Sequence, residues 1–140
     1  MSKTFGLLLP IVLFAILAPL QAVLAMYKFK EELSCDLETG FYEEILLLTG
    51  MLTIVYGIGV WLITRLKSLR FSFGVQTTWA VLLWFYQDLC IFQDRVACWS
   101  TFSFSEALNY TLSYSFIPLI VAAGCLFFLY QRIQNRKAVS

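Results

Sequence analysis

Four long apolar stretches, each closed off by charged or turn-forming residues, set the pattern of this chain: Phe5 to Tyr27, Ile45 to Thr64, Phe71 to Phe92 and Leu108 to Gln131. Asp88 is the one charged side chain inside any of them. A helix needs about 20 mostly apolar residues to cross the hydrocarbon core of a bilayer. The pattern therefore predicts an all-α fold, an integral membrane four-helix bundle in a single domain over residues 1–140, with outer loops at about 28–44 and 93–107.

Charge gives the orientation. With the amino terminus inside, the inner segments carry Lys3, Arg65, Lys67, Arg70, Arg132, Arg136 and Lys137, while the outer loops carry Lys28, Lys30 and Arg95. That bias follows the positive-inside rule and predicts that both termini are cytoplasmic. Of the nine acids, eight then fall in outer loops and Asp88 lies near the outer end of the third stretch. The first stretch has a rival reading. Met1-Ser2-Lys3, the apolar run, Pro19 and Val23-Leu24-Ala25 resemble a secretory signal with its cleavage site, although the run is longer than a usual signal core.

Helices in lipid associate through small residues at helical spacing and through interhelical hydrogen bonds. Ala15, Ala18, Ala22 and Ala25 form a heptad seam in the first stretch, and Thr49, Gly50, Thr53 and Gly57 form a groove in the second. In the fourth, Thr111, Ser115, Pro118, Ala122 and Cys125 line one side, with Phe116, Leu119, Phe127 and Phe128 on the others for lipid or a partner. Pro10, Pro19 and Pro118 each remove a backbone donor inside a span. The carbonyls of Ala15 and Tyr114 lose their helical partners, which makes a fixed kink or an ion-coordinating break.

Composition agrees and removes several chemistries. The chain is 60% hydrophobic and 14% charged, with a net charge of +1 and no basic stripe, so nucleic acid is not an expected partner. It has no histidine, hence no usual general base, haem ligand or zinc ligand. The expectation is a non-enzymatic protein without cofactor or metal. A paired C-x-x-C, the mark of thiol–disulfide exchange, is missing.

Candidate chemistry remains at two places. Gln76, Thr77, Ala80, Trp84, Gln87 and Asp88 draw a polar stripe along the third stretch, suited to a pore lining or to interhelical hydrogen bonds. Asp88 is close enough to the outer end to reach the headgroups and to pair with Arg95, seven positions on. Cys35 and Cys98 lie in different outer loops and form the preferred disulfide, with Cys90 as a competitor for Cys98. That pairing needs the outer loops in an oxidising compartment, whether the membrane is plasma, bacterial inner or endomembrane. The acidic loop 28–44 lacks calcium-loop spacing, and Asn109-Tyr110-Thr111 matches a glycosylation acceptor beside the fourth stretch.

The expected function is an accessory or interaction subunit of a membrane complex, or a small homo-oligomer, in contact with lipid and with other membrane subunits or itself. The alternative is an oligomeric channel or small-solute transporter that uses the polar stripe.

Overall fold

The computed structural model describes residues 3–35, 37–65 and 69–139, with side chains over 8–35, 37–65 and 73–132. Four helices account for most of it: α1 Lys3–Met26, α2 Phe41–Ile63, α3 Leu69–Arg95 and α4 Phe104–Val139. Single 3₁₀ turns at Tyr27–Phe29 and Ala97–Trp99 lead out of α1 and α3. No strand occurs among the described residues. The side chains of Phe5, Phe71, Lys3, Lys67, Arg70, Arg136 and Lys137, and residue Asp36, lie outside the described part.

Each apolar stretch becomes one helix, but the helices outrun the stretches. α2 begins at Phe41 rather than Ile45, because Glu43 sits in the first turn and accepts the Gly40 amide at 3.3 Å. α4 begins at Phe104 because Ser103 and Glu106 cap each other, the Ser103 amide donating to Glu106 Oε2 at 2.8 Å. Acids that end an uncharged run can thus open a helix. With 36 residues α4 extends about 54 Å, well beyond the roughly 30 Å of a hydrocarbon core. α1 continues through Pro10 and Pro19, and α4 through Pro118.

Among the described residues, three helices are long and apolar enough to cross a membrane: α1, α2 and α4. α3, expected as a fourth such span, is not among them over its described residues. It has the length, 27 residues, but Gln76, Thr77, Thr78, Gln87, Asp88, Gln93, Asp94 and Arg95 dilute its apolar content.

α1 packs against α2, α3 and α4, and α3 packs against all of the others, which leaves α2 and α4 diagonal to one another. The buried side chains recur at helical spacing, as in Phe41, Ile45, Thr49, Leu52, Tyr56 and Val60 of α2. One apolar layer centres on Phe14, which stacks on Tyr56 at 4.2 Å and on Trp84 at 5.5 Å between ring centroids. A second layer, nearer the ends that carry the disulfide, holds Phe29 edge-on to Phe92 at 5.5 Å and to Tyr114 at 5.3 Å. Between and beside them lie the polar groups of the candidate site.

Candidate functional site

Every helix contributes a polar side chain to the interior. Gln21 comes from α1, Thr49 from α2, Gln87 and Asp88 from α3, Thr111 and Ser115 from α4, and all are buried. Consecutive residues on a helix point about 100° apart, so Gln87 and Asp88 serve different neighbours. The Gln87 amide donates to Thr49 Oγ1 at 3.0 Å and to the Ile45 carbonyl at 3.3 Å on α2. Asp88 turns the other way, where its Oδ2 accepts the Gln21 amide of α1 and the Ser115 hydroxyl of α4 lies beside it.

Satisfaction of this polar interior is incomplete. Gln21 Oε1, Asp88 Oδ1, Ser115 Oγ, Thr111 Oγ1 and Gln87 Oε1 are buried without a full hydrogen-bond partner, as are Tyr56 OH, Trp79 Nε1 and Trp84 Nε1. Each such group in a native interior requires an explanation, because an unpaired buried polar atom costs on the order of 1–3 kcal/mol.

Asp88 does not reach the headgroups: it is 0% exposed. Nor does it pair with Arg95. Seven residues separate them by about 10 Å along the helix axis, and Arg95 finds closer partners beyond the end of α3. Its Nε meets Glu44 Oε2 at 2.8 Å, Nη1 donates to the Glu32 carbonyl at 2.6 Å, and Nη2 donates to the Thr39 carbonyl at 3.1 Å. The guanidinium also lies over the Phe41 ring, 5.3 Å from its centroid. One buried arginine therefore ties loop 28–40 and the start of α2 to the end of α3.

The same end of the molecule brings Cys35 and Cys98 together, with Cα atoms 6.0 Å apart, a disulfide distance. Cys90 stays half-buried on α3 and Cys125 is exposed on α4. The Trp99 indole donates to the Leu33 carbonyl at 2.8 Å, and the Cys35 amide to Asp94 Oδ1 at 3.3 Å. These contacts make a fixed cap of the two loops.

The predicted packing residues divide. Ala18, Ala22 and Ala25 are buried, while Ala15 is half-buried because the larger Phe14 takes the central position beside it. Thr49, Ser115 and Ala122 are buried. Thr53 is half-buried and returns its hydroxyl to the Thr49 carbonyl at 2.7 Å, and Gly57 faces Ile11 of α1. Gly50 is exposed with nothing near it, so it belongs to no groove; Thr49, one position earlier, takes the inward direction. Leu119, assigned to the outer side of α4, is instead buried in the core, whereas Phe116, Phe127 and Phe128 are exposed.

Of the polar stripe, Gln76, Trp84, Gln87 and Asp88 are buried and Thr77 is half-buried. Gln76 and Thr77 line a cleft with Pro10, Tyr56, Phe73 and Tyr130 that has room for about one water molecule.

Sequence reasoning missed two residues and the role of a third. Gln21 is the only amide in the first apolar stretch and shares its face with Ala18 and Ala25, which was a usable signal. Gly59 lies against the Trp79 indole so closely that a Cβ there would overlap it. The role of Arg95 as the hub of the cap depends on carbonyls from a distant loop, for which the sequence carries no mark. Among the described residues, no group of three or more His, Cys, Asp and Glu converges. No protein-family model, curated protein or solved structure matches the chain.

Proposed function

We propose that this chain is a non-enzymatic multi-pass membrane protein, a four-helix bundle with both termini cytoplasmic, that works as an accessory subunit of a membrane complex. α3 would cross the bilayer as the fourth span with its polar side turned to the other helices. Its exposed Leu82 and Tyr86 against buried Gln87 and Asp88 support that reading. The inner excess of cations supports the orientation, and the proximity of Cys35 to Cys98 supports an oxidising compartment for the cap.

The observation that carries the interaction reading is the surface of the cap. Leu33, Leu37 and Trp99 are 63%, 61% and 56% exposed, on backbone held by Arg95 and the cysteine pair. Large apolar side chains facing lipid need no protein partner, but these lie in the loops beyond the helix ends, where a partner can bury them. Leu37 has a left-handed backbone with φ 62°, and its amide donates to the Ser34 carbonyl at 3.0 Å. That conformation costs a non-glycine residue about 1–2 kcal/mol, a strain more at home in a recognition loop than in a passive connection. Glu31, Glu32 and Glu38, all exposed, flank Leu33 and Leu37 along the chain. Two such caps repel one another, so the fitting partner is a different chain with an apolar anchor and a basic rim.

The test is purification of the full chain in mild detergent from cells that express it natively, with measurement of the particle mass. A heteromeric particle that Leu33→Ser with Leu37→Ser dissociates supports the reading. A strictly monomeric particle removes it, and a homo-oligomer replaces the accessory role with self-association.

The channel or transporter reading draws support from the cleft at Gln76 and Thr77. Against it, the stacked rings of Phe14, Tyr56 and Trp84 fill the centre of the packing, so a path would have to run between copies. Liposome flux indifferent to Gln76→Leu and Asp88→Asn would eliminate it.

A further inference from the structure

Asp88 presents a charge problem that its protein neighbours do not solve. Its side chain is 0% exposed, and the described cations near this end are engaged elsewhere: Arg95 with Glu44, Lys28 with Tyr114 OH at 3.1 Å, Lys30 with Glu31 at 3.3 Å. An isolated buried carboxylate is costly.

Around it stand oxygens that also lack partners. Gln21 Oε1 belongs to the amide whose nitrogen already bonds Asp88, and Ser115 turns its hydroxyl toward the carboxyl group, which leaves the lone pairs of its Oγ unused. Thr111 Oγ1 is one turn away on the same face of α4, in a residue with 0% exposure. Pro118 has no N–H, so the carbonyl of Tyr114, next to Ser115, lacks its helical donor on that flank.

We propose that Asp88, Gln21 and Ser115, assisted by Thr111 and the Tyr114 carbonyl, form an intramembrane binding site for a monovalent cation of the sodium class. Carboxylate, amide and hydroxyl oxygens are hard donors, matched to a hard cation. One carboxylate neutralises a single positive charge, whereas a divalent ion would leave net charge in the apolar interior. A water molecule would satisfy the orphaned oxygens but not the charge. A proton would neutralise the charge but engage only one further acceptor. A sodium ion meets both needs at once, and broken or proline-interrupted membrane helices use the same kind of freed carbonyl to hold ions.

The experiment uses the full chain in mild detergent, with its thermal unfolding midpoint measured in sodium chloride and in choline chloride at equal ionic strength. The expected result is a saturable rise in the midpoint with sodium, as for any ligand that binds the folded state. Asp88→Asn is expected to abolish the rise, and Ser115→Ala to weaken apparent sodium affinity by about 10-fold. If Asp88→Asn does not fold, Ser115→Ala and Gln21→Leu carry the comparison. Equal midpoints in the two salts for the wild type overturn the proposal, as does an equal sodium response in the wild type and these variants. A midpoint that rises on acidification in choline chloride, without any sodium response, overturns it in favour of a permanently protonated carboxyl.

Discussion

Arg95 and Asp88 stand two turns apart on α3 and are buried to nearly the same degree, yet their surroundings are opposite. Arg95 has a carboxylate, two carbonyls and an aromatic face, so its charge and three of its donors are used. Asp88 has one amide, the Ser115 hydroxyl beside it and, among the described residues, no cation. The difference follows from position. Beyond the helix end, loops bring carbonyls and acids that can turn toward a charge. Between helices, the backbone N–H groups are already bonded within their own ladders, so a carboxylate there can draw only on side-chain donors. The cap is therefore a closed electrostatic unit, and the interior around Asp88 is an open one.

The largest expected effect comes from breaking the closed unit. Arg95→Ala leaves Glu44 and two carbonyls without the arginine, which should destabilise the folded chain by about 3–5 kcal/mol. Unfolding in denaturant would read this, and a midpoint unchanged from wild type would show that the cap does not depend on the arginine. Separation of the cysteines comes next. Cys35→Ser should cost about 2–4 kcal/mol, since residues 63 apart in sequence then lose their closure in the unfolded chain. Reduction of the wild type should reproduce the loss, and reduction of the variant should add nothing.

How far these features could be read from sequence depends on whether burial contrasts with its surroundings. The four helices were legible because uncharged runs of that length have few alternatives, and Cys35 with Cys98 because the loop order puts them at one end. The packing faces of α2 were harder. Its surroundings are expected to be as apolar as its neighbours, so Leu46, Met51 and Ile54, which are exposed, look the same in sequence as Ile45 and Leu52, which are buried. Gly50 and Gly59 were indistinguishable for that reason. The cap was illegible because its hub is held largely by backbone carbonyls, and carbonyls are the same at every residue.

Those two glycines give a smaller test of the same contrast. Gly59→Ala drives a methyl into the Trp79 indole, a rigid group that must rotate away, at a cost of about 1–3 kcal/mol. Gly50→Ala meets nothing and should change stability by no more than about 1 kcal/mol, in the stabilising direction that helix preference gives alanine. Equal effects at the two sites would mean that α2 is rotated from the face described.

The smallest expected effect sharpens the comparison most, because it concerns sign. Glu44→Gln and Asp88→Asn each replace a carboxylate by an amide of nearly the same shape. At Glu44 the change removes half of a buried ion pair and leaves the Arg95 charge uncompensated, so stability must fall. At Asp88 it removes a charge that has no counter-charge among the described residues, while the oxygen of the new amide still accepts from the Gln21 side chain. In choline chloride, Asp88→Asn should therefore be neutral or stabilising by up to about 1 kcal/mol. Paired unfolding curves of the two variants against wild type would check it. A loss of equal size at both positions would show that the Asp88 carboxylate is already compensated within the protein, and the contrast between cap and interior would then be one of geometry alone.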